Sequence, residues 1–124
     1  MTSICEKSFY GCSSLKSITI PSSVTAICKQ SLYGCSSLES IAIPFSVTTI
    51  SEESFYGCSS LESIAIPSSV TFIGEGSFAN CSSLKKVTIN CLIKIIQMKI
   101  SFKCSHLSQF IPYHVSYKHM LYVC

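Results

Sequence analysis

The chain has 124 residues, 48% of them hydrophobic and 12% charged, a size and composition that fit one packed domain and exclude a disordered, solvating polypeptide. Its formal charge of +3 comes from nine basic and six acidic residues, all of them Lys or Glu. A nucleic-acid surface would need clustered Arg and Lys with interleaved aromatics, and a chain without arginine is not expected to form one.

The opening MTSICEKSFYGC lacks the basic start and apolar core of a secretory leader, so it reads as carrying no export address. From residue 10 onward the chain repeats itself. YGCSSLKSITIP at 10–21 returns as YGCSSLESIAIP at 33–44 and again at 56–67, each time 23 residues on. The same step aligns Phe9, Leu32, Phe55 and Phe78; Cys12, Cys35, Cys58, Cys81 and Cys104; and Leu15, Leu38, Leu61, Leu84 and Leu107. Ile18, Ile41, Ile64, Val87 and Phe110 form a further column, as do Ile20, Ile43, Ile66 and Ile89. The unit is L-x-x-I-x-I-P-x-x-V-x-x-I-x-x-x-x-F-x-x-C, and a fixed period of this length marks a solenoid.

Within one unit, Ile18-Thr19-Ile20 alternates, is β-branched and is closed by Pro21, which predicts a short strand. Val24-Thr25-Ala26-Ile27 is a second, weaker extended piece. From Ile27 to Cys35 the small residues with Leu32, Tyr33 and Gly34 predict a tight helical or 3₁₀ turn. One coil cannot bury its apolar side alone. Stacked coils can, each strand pairing with its copy about 4.8 Å above and below, so that a residue packing well against itself is reused.

With its IPSSVT segment and CSSL join, LKSITIPSSVTAICKQSLYGC resembles the BspA-like class of leucine-rich repeats, closely over residues 1–90. The resemblance implies a right-handed solenoid with a parallel β-sheet on one face and short strands, 3₁₀ or helical turns on the other. It further implies a non-enzymatic module of a surface or secreted protein that binds host, matrix or other proteins; the compartment is not read from the residues themselves.

Met1 to Cys5 occupy the register of Val24 to Cys28, so the chain enters mid-repeat without a polar cap. That predicts a segment of a larger array with no function of its own, or self-association through uncapped ends, as alternatives to an autonomous module. From Asn90 the pattern degenerates, and solenoid is expected over 1–115 with an irregular tail at 116–124. The apolar run from Cys91 to Phe102, broken by Lys94 and Lys99, is too short to span a bilayer.

Of the nine cysteines, five share one inward column, where parallel neighbours fit disulfide geometry poorly and free thiols serve as small apolar fillers. Cys104, His106, His114, His119 and Cys124 match no closed zinc frame, and no metal or cofactor is expected. A cysteine nucleophile would need a histidine base and an orienting group; the histidines all lie in the irregular end, so no catalytic residue is assigned. Asn80-Cys81-Ser82 is an N-glycosylation triplet, but Asn80 reads as the turn residue that Gly34 and Gly57 supply in other copies.

If the alternating isoleucines face inward, Ser17, Thr19, Ser40, Ala42, Ser63, Ala65, Lys86 and Thr88 face outward, flanked by Lys16, Glu39, Glu62 and Lys85. This extended face is the candidate surface for a protein partner. Tyr10, Tyr33 and Tyr56 form a ladder on the opposite side. Phe45 and Phe72 are odd residues in loop positions, and Phe45 is a candidate contact.

Overall fold

The computed structural model describes residues 3–89 and 109–112. Each coil begins on a strand of the IxIP segment: β2 (Ser17–Thr19), β4 (Ser40–Ala42), β6 (Ser63–Ile66), β8 (Lys86–Ile89) and β9 (Gln109–Pro112). A four-residue turn then brings Val24 N back to Pro21 O at 3.1 Å, a bond repeated at Val47 and Val70. The weaker segment comes next as β3 (Ala26–Ile27), β5 (Thr49–Ile50) and β7 (Phe72–Ile73), preceded in the stack by β1 (Ser3–Ile4).

Every pairing is parallel and offset by the period. Ser3, Ala26, Thr49 and Phe72 share one column of the four-stranded sheet β1-β3-β5-β7. Ile18 pairs with Ile41, Ile64 with Val87, and Val87 with Phe110. The strand face is less continuous than the repetition implies. β4 lies beside β6, but the ladder is interrupted between them, leaving β2-β4 and β6-β8-β9 as separate sheets. The interruption falls where Glu39 and Glu62 occupy one column, the step at which like charges oppose pairing.

No helix or 3₁₀ segment occurs among the described residues, which corrects the expectation for the stretch from Ile27 to Cys35. Ser31 N bonds Cys28 O, Tyr33 N bonds Gln30 O and Cys35 N bonds Leu32 O, all within the coil. The alternate amides of Gln30, Leu32 and Gly34 reach instead to Glu52, Ser54 and Tyr56 of the next coil. A helix needs successive amides aimed along one axis; here every second one is taken by the neighbouring coil. The alternation requires left-handed residues in two columns. Lys7, Gln30 and Glu53 have φ of 57°, 54° and 52°, continued by Gly76; Gly11, Gly34 and Gly57 are followed by Asn80 at 58°. Asn80 thus takes the glycine's place, as a residue that tolerates this conformation can.

The core is the set of inward columns: Val24, Val47 and Val70; Ile27, Ile50 and Ile73; Leu38, Leu61 and Leu84; Phe55 and Phe78. Fully burying each such side chain stabilises by about 1.5–3 kcal/mol. Phe9, Leu15, Ile18 and Ile41 are only half-buried against it. Cys35, Cys58 and Cys81 are buried free thiols, whereas Cys12, in the first coil, is a free thiol that is exposed. Cys104 lies outside the described residues, as does the tail at 116–124.

Candidate binding surface

The strand alternation places the outward residues where the sequence pattern puts them. Ser17 pairs with Ser40 and Thr19 with Ala42; Ser63 pairs with Lys86 and Ala65 with Thr88. All are exposed except Thr88, which is half-buried. Beneath them Ile64 and Val87 are buried. Lys16, Glu39, Glu62 and Lys85, all exposed, form the flanking column, with Glu39 N bonded to Lys16 O and Lys85 N to Glu62 O, both at 2.9 Å. Between Glu39, Ser60, Glu62 and Ser83 lies a shallow hollow of about 390 Å³. The surface is flat and small-residued, with two carboxylates at its middle and a lysine at either end.

On the turn side the tyrosine ladder is present. Tyr10 and Tyr33 stack at 4.8 Å between ring centroids with an interplanar angle of 7°, and Tyr33 and Tyr56 at 4.6 Å and 8°. Partial burial between its neighbours, and then their own charges, raise the Tyr33 hydroxyl above its usual value. Phe55 and Phe78 stack beside the ladder at 5.1 Å. Asn80 Nδ2 donates to Tyr56 Oη at 2.6 Å. Phe45 is 72% exposed in the turn after β4, consistent with a contact position. Phe72 is not in a loop: it belongs to β7, paired with Thr49, and projects outward with 41% exposure.

The buried thiols are held as hydrogen-bond donors. Cys35 Sγ donates to Phe9 O at 3.2 Å, Cys58 Sγ to Leu32 O at 3.5 Å and Cys81 Sγ to Phe55 O at 3.2 Å. Burial pushes Cys35 up to about 11 and Cys81 up to about 12, and pushes Cys58 further in the same direction. A thiol held protonated is a poor nucleophile and a poor metal ligand. Among the described residues no group of three or more His, Cys, Asp or Glu is arranged to hold a metal; the tail set of Cys104, His106, His114, His119 and Cys124 lies outside them. No described helix is long and apolar enough to cross a membrane.

Two features escape the column pattern. An apolar hollow of about 300 Å³ opens in the first coil among Ile4, Phe9, Ile18 and Ile20. Another, of about 310 Å³, lies among Glu52, Glu53, Tyr56, Glu75, Gly76 and Ala79. The second was signalled in the sequence only by the loss of a tyrosine at Ala79 and of a side chain at Gly76.

Parallel strands stacked register-true at a leucine-rich period define a leucine-rich-repeat β-solenoid. The chain belongs to the BspA type leucine rich repeat family, whose region matches residues 1–113 in six copies. It is similar to a leucine-rich repeat protein from Eubacterium ventriosum, with 32% identity and a TM-score of 0.72 over 79% of this chain and 26% of that one. A leucine rich cell surface protein from Faecalibacterium prausnitzii is 35% identical, with a TM-score of 0.57 over 68% of this chain and 23% of that one. The leucine rich repeat protein of T. pallidum shares the fold at 24% identity and a TM-score of 0.63, covering 91% of this chain and 64% of that one. The chain therefore spans about a quarter of the first two proteins. Comparison with curated proteins gives no match. Leucine-rich repeats are in general non-enzymatic protein-interaction modules.

Proposed function

We propose that the chain is a protein-recognition or adhesion module that binds through the outward face of β2, β4, β6 and β8. The observation behind this reading is the register that pairs Ser17 with Ser40 and Thr19 with Ala42 in one sheet and Ser63 with Lys86 and Ala65 with Thr88 in the next, with β4 lying beside β6 and the exposed Lys16, Glu39, Glu62 and Lys85 flanking both. Repeat proteins use such extended surfaces for partners, and a flat face of small residues lets a partner backbone approach closely. Phe45, in the turn after β4, adds an exposed large apolar side chain. The solenoid unit is taken as 1–115, and a cell-surface setting is favoured by the F. prausnitzii relative, which is itself described as a cell surface protein.

The test compares immobilised wild-type protein with the Glu39→Lys/Glu62→Lys and Ala42→Arg/Ala65→Arg variants against a cell-surface extract. A partner retained by the wild type and reduced at least tenfold on both variants is expected. Equal retention on all three contradicts the reading. It would then favour a structural segment of a longer array.

A further inference from the structure

The tyrosine ladder is interrupted on one side in a way that leaves a shaped, charged slot. Tyr56 stacks on Tyr33, and the residue one period further along the column is Ala79, which carries no ring; Gly57 N bonds Ala79 O at 2.9 Å, so the two coils are in direct register there. In the neighbouring column Gly76 follows Lys7, Gln30 and Glu53, so the side chain is missing there as well. A Cβ built on Gly76 would already lie 3.4 Å from Glu53 Cγ. The two losses leave the hollow of about 310 Å³ beside Tyr56, with Gly76 and Ala79 buried at its base and Glu52, Glu53 and Glu75 around it.

The ring is held in place. Tyr33 supports one face, and Asn80 Nδ2 bonds its hydroxyl. Glu53 is positioned too, its Oε1 accepting from Gln30 Nε2 at 2.9 Å. No basic side chain is among the described residues lining the slot. The first coil shows what chemistry the ladder accepts, since Lys7 Nζ sits over the Tyr10 ring, 5.8 Å from its centroid. In the coil of Tyr56 the column position held by Lys7 is Glu53, and in the next coil, beside Ala79, it is Gly76.

We propose that the slot beside Tyr56 binds an arginine side chain of a partner protein, the guanidinium stacking where the next tyrosine of the ladder would lie and pairing with the surrounding glutamates. A planar cation fits an aromatic face and a carboxylate rim together, because the ring attracts it electrostatically and the carboxylates accept its N–H groups in a fork. A neutral aromatic would gain only the stack, and an anion would be repelled. The site lies on the turn side and does not depend on the strand face proposed above.

The probe is N-acetyl-arginine amide, titrated into the full chain and followed by NMR, with N-acetyl-citrulline amide as the uncharged isostere. Saturable shifts are expected at the Tyr56 ring and the Gly76 and Ala79 amides, weakening as salt is raised and at least fivefold weaker for citrulline. Ala79→Tyr, which fills the slot with the missing ring, and Glu52→Gln/Glu53→Gln, which leaves the backbone unaltered, each weaken binding at least fivefold; Tyr10→Ala leaves it unchanged. Equal shifts from arginine and citrulline, shifts centred on Glu39 and Glu62, or a Glu52→Gln/Glu53→Gln variant that binds as the wild type does would each overturn the proposal.

Discussion

At Cys35, Cys58 and Cys81 the repeated cysteine is both a small apolar filler and a donor. Each Sγ reaches back 26 residues to the carbonyl of Phe9, Leu32 or Phe55, three residues beyond the repeat step. Burial raises these thiols from an ordinary value of 9.0 to about 11 at Cys35 and about 12 at Cys81. The folded state therefore keeps protons that the unfolded chain releases above pH 9. Their contribution to stability is complete below pH 9 and is lost as pH rises through about 11 to 12. Urea midpoints measured from pH 7 to 11 fall more steeply for the wild type than for Cys81→Ala, which removes one such group; parallel slopes would show that Cys81 titrates as it does in the unfolded chain. The filler role was legible in the cysteine column, because a residue repeated in register with leucines packs with them. The hydrogen bond was not, since its offset differs from the period. The exposure of Cys12 was equally hidden, because column membership says nothing about whether a coil lies above.

The coil's turn segment is the element where pattern and structure part. Residues 28–35 have the small side chains and spacing of a helical turn, yet every second amide belongs to the next coil. Local sequence shows which residues can turn; which amides are claimed by a neighbour is decided by the stack. Gly34 and Gly57 announced one left-handed column, while the other is occupied by Lys7, Gln30 and Glu53 and surfaces only at Gly76. The drift of a further column from Cys5 and Cys28 through Ser51 to Gly74 likewise had no explanation in the sequence. In the structure a Cβ at Gly74 would stand 2.4 Å from Glu52 N, so the fourth coil has no room for the earlier side chains. The tyrosine ladder, in contrast, was legible because identical aromatics at the stacking period must face one another. Tyr33 touches two rings and Tyr10 one. Tyr33→Ala should therefore lower the unfolding midpoint roughly twice as far as Tyr10→Ala, as stacked pairs contribute beyond the area they bury. Equal losses would mean that the stacks result from backbone register and add nothing to stability.

Across the whole molecule, a period of 23 residues produces a stack in which equivalent strand residues pair in register from one coil to the next within each sheet. The inward and outward sets were readable because strand alternation leaves only two choices at each position. The break between β4 and β6 is not marked in the strands themselves, since 40–43 and 63–66 are both SIAI; it coincides only with the flanking Glu39 and Glu62. The uneven burial, with the first coil's Phe9, Leu15 and Ile18 half-exposed and their copies from the third coil onward buried, is a consequence of stacking: an end coil has one neighbour where an inner coil has two. The proposed recognition through the strand face would rest on area and register rather than on one deep pocket. Its most direct test is hydrogen exchange of the chain with and without the partner recovered on the wild-type protein. Slowed exchange in the backbone at 39–42 and 62–65 is the result expected of recognition through the strand face, whether or not the turn segments at 29–34 and 52–57 also change. Slowing confined to the turn segments, with 39–42 and 62–65 unaltered, would contradict it.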